Sequence, residues 1–225
     1  MKKLGLLIVL SMVNFASVSF AEPTVYSGSL NGSSSGGLKG SAGTNVWLSG
    51  NTVFSWIVTD YHDGRYGYEY NLKVQTKPIS HFIIEVSPTF QESNILQYLQ
   101  GSFALSDYGP ENGGGINLYI PGSMRGIKTG SGVGSYTLQF ISDRMPVWGD
   151  FYAKSTLLNG VVAIWNAGFT SADTDPTAGP ANGSIDCHIL VPDSTSLPIA
   201  PVPGAVVLGG IGIGLVRLFH RQNAR

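Results

Sequence analysis

Between residues 53 and 193 the chain is built of short runs that alternate apolar and polar positions. The clearest is Tyr66-Gly67-Tyr68-Glu69-Tyr70-Asn71-Leu72-Lys73-Val74, where every second side chain is apolar or aromatic and glycine or polar residues stand between. A period of two predicts a half-buried strand. Residues 53–58 read as a second strand, and residues 81–86, apolar nearly throughout, as a strand in the middle of a sheet. Residues 116–120, 135–141, 161–169 and 185–191 complete the set. Gly113-Gly114-Gly115, Pro121-Gly122, the glycines of 130–134 and Asp175-Pro176 supply turn chemistry between them. One short helix is expected at 94–100, with Ser93 as its N-cap. Seven to nine strands and little helix predict an all-β domain over residues 46–196, a β-sandwich or jelly roll. The Ser/Gly-rich residues 22–45 precede it; the stretch 28–43 has little apolar content and reads as a flexible or loose edge segment.

Both ends break this pattern with longer apolar runs. Lys2 and Lys3 precede an apolar stretch over residues 4–13, and Ser19-Phe20-Ala21 supplies the small-x-small pattern that signal peptidase needs. Residues 1–21 are therefore expected to be a signal peptide, cut after Ala21. At the other end, residues 197–225 form a proline-rich linker, a hydrophobic helix and a basic tail. Pro198, Pro201 and Pro203 prevent helix upstream, the chain is uncharged from Gly204 to Val216, and Arg217, Arg221 and Arg225 follow. As a helix, residues 205–219 would span about 22 Å, short of the ~30 Å hydrocarbon core, with Arg217 able to snorkel from its end. Cations on that side predict a cytoplasmic C-terminus, so the precursor's partner is the inner membrane. Gly209, Gly210, Gly212 and Gly214 would each cost about 1 kcal/mol against alanine in a water-exposed helix, which favours the membrane over a globular core.

The layout Pro201-Val202-Pro203-Gly204, then an apolar helix, then an arginine-bearing tail resembles the PEP-CTERM sorting signal. Val202 stands where that family's motif usually carries glutamate, so the likeness is to a variant motif. The resemblance implies export followed by processing at 201–204 by an exosortase-type sorting protease. Segments of the body are similar to ones recurring in secreted proteins with this signal: residues 68–74 with 79–82, Ser142-Asp143-Arg144-Met145-Pro146-Val147-Trp148-Gly149-Asp150 running on to Lys154, and Ala163-Ile164-Trp165-Asn166-Ala167-Gly168-Phe169. That likeness implies a surface or extracellular β domain of unassigned biochemistry; it does not imply a catalytic activity.

Composition narrows the function classes further. Only 12% of the 225 residues are charged, against roughly 25% in a usual soluble domain. With 13 Lys and Arg against 14 Asp and Glu, the chain lacks the cation excess that nucleic-acid binding requires. Residues 22–196 hold all 14 acids and 8 of the bases, a charge of −6. No cofactor motif is present, and His62, His81, His188 and His220 share no short ligand spacing, which disfavours zinc; no metal ligand is assigned. His81 is expected to be packed and hydrogen-bonded. His188, alternating with Asp186, is expected to be solvated, and Cys187, the single cysteine, to be a small buried hydrophobe. The string Gly32-Ser33-Ser34-Ser35-Gly36 lacks the strand–turn–helix context of a nucleophile elbow. Asp60, Asp63 and Glu69, and separately Asp173 and Asp175, sit in oxygen-rich loops; turn capping is the main expectation and structural calcium a lesser one. Tyr66, Tyr68 and Tyr70 offer a candidate stacking surface for an extracellular polysaccharide, although tyrosines on a buried strand face are commoner. The expectation is an exported, non-enzymatic surface or matrix protein; a carbohydrate-binding or adhesive module is the alternative, and a secreted hydrolase stands behind both.

Overall fold

A computed structural model of the protein describes residues 21–41, 45–48, 51–110, 117–130, 132–155, 160–172 and 174–193. Pro201, Val202, Pro203, Gly204, Arg217, Arg221 and Arg225, and the apolar run of 4–13, lie outside the described residues. Among the described residues no helix is long and apolar enough to cross a membrane.

The fold is all-β. Its strands are β1 (Thr24–Asn31), β2 (Leu38–Gly40), β3 (Val53–Asp60), β4 (Tyr66–Lys73), β5 (Ile79–Glu85), β6 (Ile95–Gln100), β7 (Ala104–Tyr108), β8 (Met124–Thr129), β9 (Ser135–Ser142), β10 (Pro146–Gly149), β11 (Phe151–Ser155), β12 (Ala163–Asn166) and β13 (Ile189–Pro192). Five of them form one sheet in the order β1-β3-β4-β9-β6, and six form a second in the order β2-β12-β11-β5-β8-β7. The remaining pair, β10 and β13, makes a two-stranded ribbon. Every pairing between named strands is antiparallel.

The two large sheets face one another across a single aromatic core, the arrangement of a β-sandwich. Alternation along β3 and β4 sends Phe54, Trp56 and Val58, and Tyr66, Tyr68, Tyr70 and Leu72, inward. From the opposite sheet come Phe82 and Ile84 of β5 and Phe151 and Ala153 of β11. Phe54 stacks on Phe151 with ring centroids 3.9 Å apart and meets Phe82 edge-on at 6.0 Å, so one residue joins the sheets. As expected, β5 is central: it pairs with β11 on one side and β8 on the other. Its outward side chain Ile83 is buried in a second, smaller cluster with Tyr108, Ile120, Met124, Tyr152, Ala163 and Phe169.

Four local expectations are corrected. The helix over 94–100 is instead the edge strand β6, preceded by a single 3-10 turn at Glu92–Asn94 whose N-cap is Gln91, not Ser93. Asn94 holds that turn shut, its Oδ1 accepting the Gln91 N–H at 2.8 Å, and β6 then pairs with β9. The lead-in segment is an edge, as one of its two readings has it, but not a flexible one: β1 pairs with β3 over eight residues and β2 pairs with β12. Glycine is required at position 28, where any Cβ would overlap the Trp56 ring and the Gly183 carbonyl. The strand expected at 116–120 is, over its described part, a turn closed by Ile120 N–H to Asn117 O at 3.2 Å. The run 185–191 is a strand only from Ile189; Asp186 and Cys187 both take left-handed φ (48° and 64°), and His188 N–H bonds Ile185 O at 2.7 Å. That reversal turns His188 inward and leaves Cys187 half-buried, the opposite of what plain alternation implies.

Candidate functional site

Two places gather chemistry. The first is a groove of about 560 Å³ on the outer face of the six-stranded sheet, lined by Ser80, His81, Ser106, Tyr108, Lys128 and Lys154 among others. Register brings them together: Lys154 of β11 lies opposite His81 of β5, and Lys128 of β8 opposite Ile83. Lys128 Nζ stands 5.7 Å from the centre of the Tyr108 ring, a cation–π distance. His81 is packed and hydrogen-bonded, as expected, with Nε2 3.1 Å from Asn117 Oδ1. Because that oxygen only accepts, Nε2 carries the proton and Nδ1 the lone pair. Burial, reinforced by Lys128 and Lys154, pushes the imidazole pKa down to about 3, so His81 is neutral at physiological pH. Burial lowers the pKa of Lys154 as well, with Lys128 adding to it, and lowers that of Lys128.

The second place is a histidine between two aspartates, where β10, β11 and the turn before β13 meet. Asp150, fully buried between β10 and β11, is fixed from three sides. Its N–H donates to Glu85 Oε2 at 2.8 Å, its carbonyl accepts the Glu85 N–H at 3.0 Å, and its Oδ1 accepts Asn166 Nδ2 at 2.5 Å. Asn166 is in turn held by Phe151 N–H on its Oδ1 at 2.9 Å. His188 is 4% exposed, and its Nδ1 lies 3.2 Å from the Ile185 carbonyl. Its ring packs flat over Gly168, where a Cβ would overlap it. Nε2 is 3.6 Å from Asp150 Oδ1 and 3.7 Å from Asp175 Oδ1, and it makes no hydrogen bond. Asp175 is on the solvent side, with 37% of its side chain exposed. Among the described residues this is the group of His, Cys, Asp and Glu whose donor atoms converge, all within 4.8 Å of one another.

Other residues singled out by sequence go elsewhere. Tyr66, Tyr68 and Tyr70 are core residues between the sheets; Tyr68 Oη donates to Arg144 O at 2.6 Å and Tyr70 Oη to Leu190 O at 3.0 Å. Their rings cannot stack on a sugar, because alternation in β4 turns them all to the buried face. Asp60 and Asp63 cap their own turn, accepting the His62 and Arg65 N–H groups, and Asp63 pairs with Arg65 at 2.6 Å. Glu69 faces Gln139 across the β4–β9 ladder instead of joining them. Ser33, in the Gly-x-Ser-x-Gly string, donates to Asn31 Oδ1 at 2.6 Å within a turn, with no helix after it. Asp173 lies outside the described residues. Ala21 is described and exposed, three residues before β1 begins. The His188 cluster escapes a search for short ligand spacings because its members come from three separate segments.

No family model matches the chain, and neither the curated proteins nor the solved structures contain a significant match to it.

Proposed function

We propose that this chain is an exported, non-enzymatic surface or extracellular-matrix protein, processed through its C-terminal hydrophobic segment. The observation that supports this most is the distribution of apolar sequence about the sandwich. Among the described residues every strand falls between Thr24 and Pro192, within a compact unit of Glu22–Ile199, and the long apolar runs at 4–13 and 205–216 precede and follow that span in the sequence. Lys2 and Lys3 flank the first run and Arg217, Arg221 and Arg225 the second, the charge placement of an export signal and of a cytoplasmic tail. Signal peptidase cuts after Ala21, and residues 205–216 then hold the precursor in the inner membrane. An exosortase-type protease acts at Pro201-Val202-Pro203-Gly204 and releases or transfers the β domain. Replacing Pro203 and Gly204 together by leucine is expected to leave a membrane-retained precursor on cell fractionation. The same mature mass in the same fraction as wild type would contradict the processing step.

The groove favours a second reading, a module that binds acidic polysaccharide. Two lysines face one concavity in a body whose charge is −6, which suits a carboxylate-bearing sugar more than a neutral one. Binding to uronic-acid polysaccharides on a glycan array should fall about tenfold in Lys128→Gln, the loss of roughly one charge-assisted hydrogen bond. A flat array, or equal binding by the variant, counts against it.

A further inference from the structure

We propose that Asp150, Asp175 and His188 form a binding site for one divalent cation of the zinc class. The ring of His188 is anchored at one nitrogen. Its Nδ1 faces the Ile185 carbonyl at 3.2 Å, and since a carbonyl only accepts, Nδ1 carries the proton. In the neutral ring Nε2 then presents a lone pair, the tautomer of a histidine ligand whose other nitrogen is anchored to backbone. Asp150 Oδ1 and Asp175 Oδ1 lie 3.6 and 3.7 Å from this nitrogen. With the ring neutral, three electron-rich atoms lie within 4.8 Å of one another, an arrangement that a cation between them stabilises. Those distances are too long for N–H···O hydrogen bonds, which run from 2.7 to about 3.2 Å. They are close to the ~3.4 Å that separates ligands each 2.0–2.1 Å from a four-coordinate ion.

Burial supplies the second argument. His188 is more than nine-tenths buried and its Nε2 has no hydrogen bond, a costly state for an imidazole nitrogen that folding has removed from water. The surroundings hold the donors in place. Asn166 fixes the Asp150 carboxylate, Gly168 gives the ring room, and Ser184 Oγ donates to the His188 carbonyl at 2.7 Å. A mixed set of one imidazole and two carboxylates suits zinc and its first-row neighbours, whereas calcium and magnesium take oxygen ligands almost exclusively. Three protein ligands leave a fourth position open on the side of Asp175, where the cluster meets solvent. The ion would tie the irregular segment that carries Asp175 to the strands that carry Asp150 and to the turn that carries His188.

The test is titration of the full chain, purified in detergent and stripped with a chelator, with Zn2+, Co2+ and Ca2+ separately. The expected result is one equivalent of Zn2+ bound at micromolar or tighter affinity, with a higher melting temperature. Co2+ should show the intense visible bands of a four-coordinate site, and Ca2+ should have no effect at the same concentration. His188→Gln should abolish binding. Asp175→Asn, at a partly exposed position where the fold tolerates the change, should weaken it at least tenfold even if the His188 variant fails to fold. His62→Gln, at an exposed histidine beside Asp60, should change nothing. Absence of stoichiometric binding, or equal affinity in Asp175→Asn, overturns the site, as does loss of the ion in His62→Gln.

Discussion

His81 and Phe54 show how single side chains feel this fold. The imidazole of His81 sits beneath the rim of the groove, where burial and then the charges of Lys128 and Lys154 disfavour its protonated form. Its pKa, about 3 in the folded protein against 6.5 in the unfolded chain, means that only the unfolded state takes up this proton in between. Stability is then fully present above pH 6.5 and is lost as pH falls towards 3, with a slope of up to about 1.4 kcal/mol per pH unit. His81→Gln, which keeps a donor for Asn117, should flatten the denaturant-derived stability curve between pH 4 and 6. An unchanged slope would mean that other groups drive the acid sensitivity. Phe54 is fully buried and touches rings from both sheets. Phe54→Ala should lower stability by about 3–5 kcal/mol, measured by urea unfolding, because the cavity opens where facing sheets cannot close over it.

At the next scale the edge strands separate what pattern reveals from what pairing decides. β4 and β5 were legible because one alternates cleanly and the other is apolar on both faces, so burial alone specifies them. β1 was not. Its inward positions include Gly28, chosen for the Trp56 ring above it, and its hydrogen bonds to β3 hold it more than its own hydrophobicity does. Gly28→Val should therefore force β1 away from β3. Hydrogen exchange should rise at least tenfold in β1 amides while the β5–β11 ladder stays protected; equal protection in β1 would show that Trp56 can move aside. β6 misled in the other direction. Ile95, Leu96, Tyr98 and Leu99 have helical spacing, yet β9 offers an open edge, and Leu96 and Leu99 remain half-exposed after pairing with it. The turn before β13 had a similar effect on the candidate site. Two left-handed residues shifted the register, so His188 entered the interior beside aspartates 38 and 13 positions earlier in the chain. No local motif encodes such a meeting; it arises from the sheet topology.

For the whole molecule, the scarcity of charge and the excess of apolar sequence have different origins. The sandwich forms one compact unit within Glu22–Ile199, with rings from both sheets filling one core, and the apolar runs at 4–13 and 205–216 flank that span in the sequence. On the proposed account these runs are trafficking elements, and what reaches the outside is a body of few charges with a lysine-lined groove on one face. The most direct measurement is the intact mass of the protein recovered from outside the inner membrane. The account predicts a chain that begins at Glu22 and ends within 201–204. Recovery of the full 23.8 kDa chain, or of a product that still carries Arg217, Arg221 and Arg225, would contradict it.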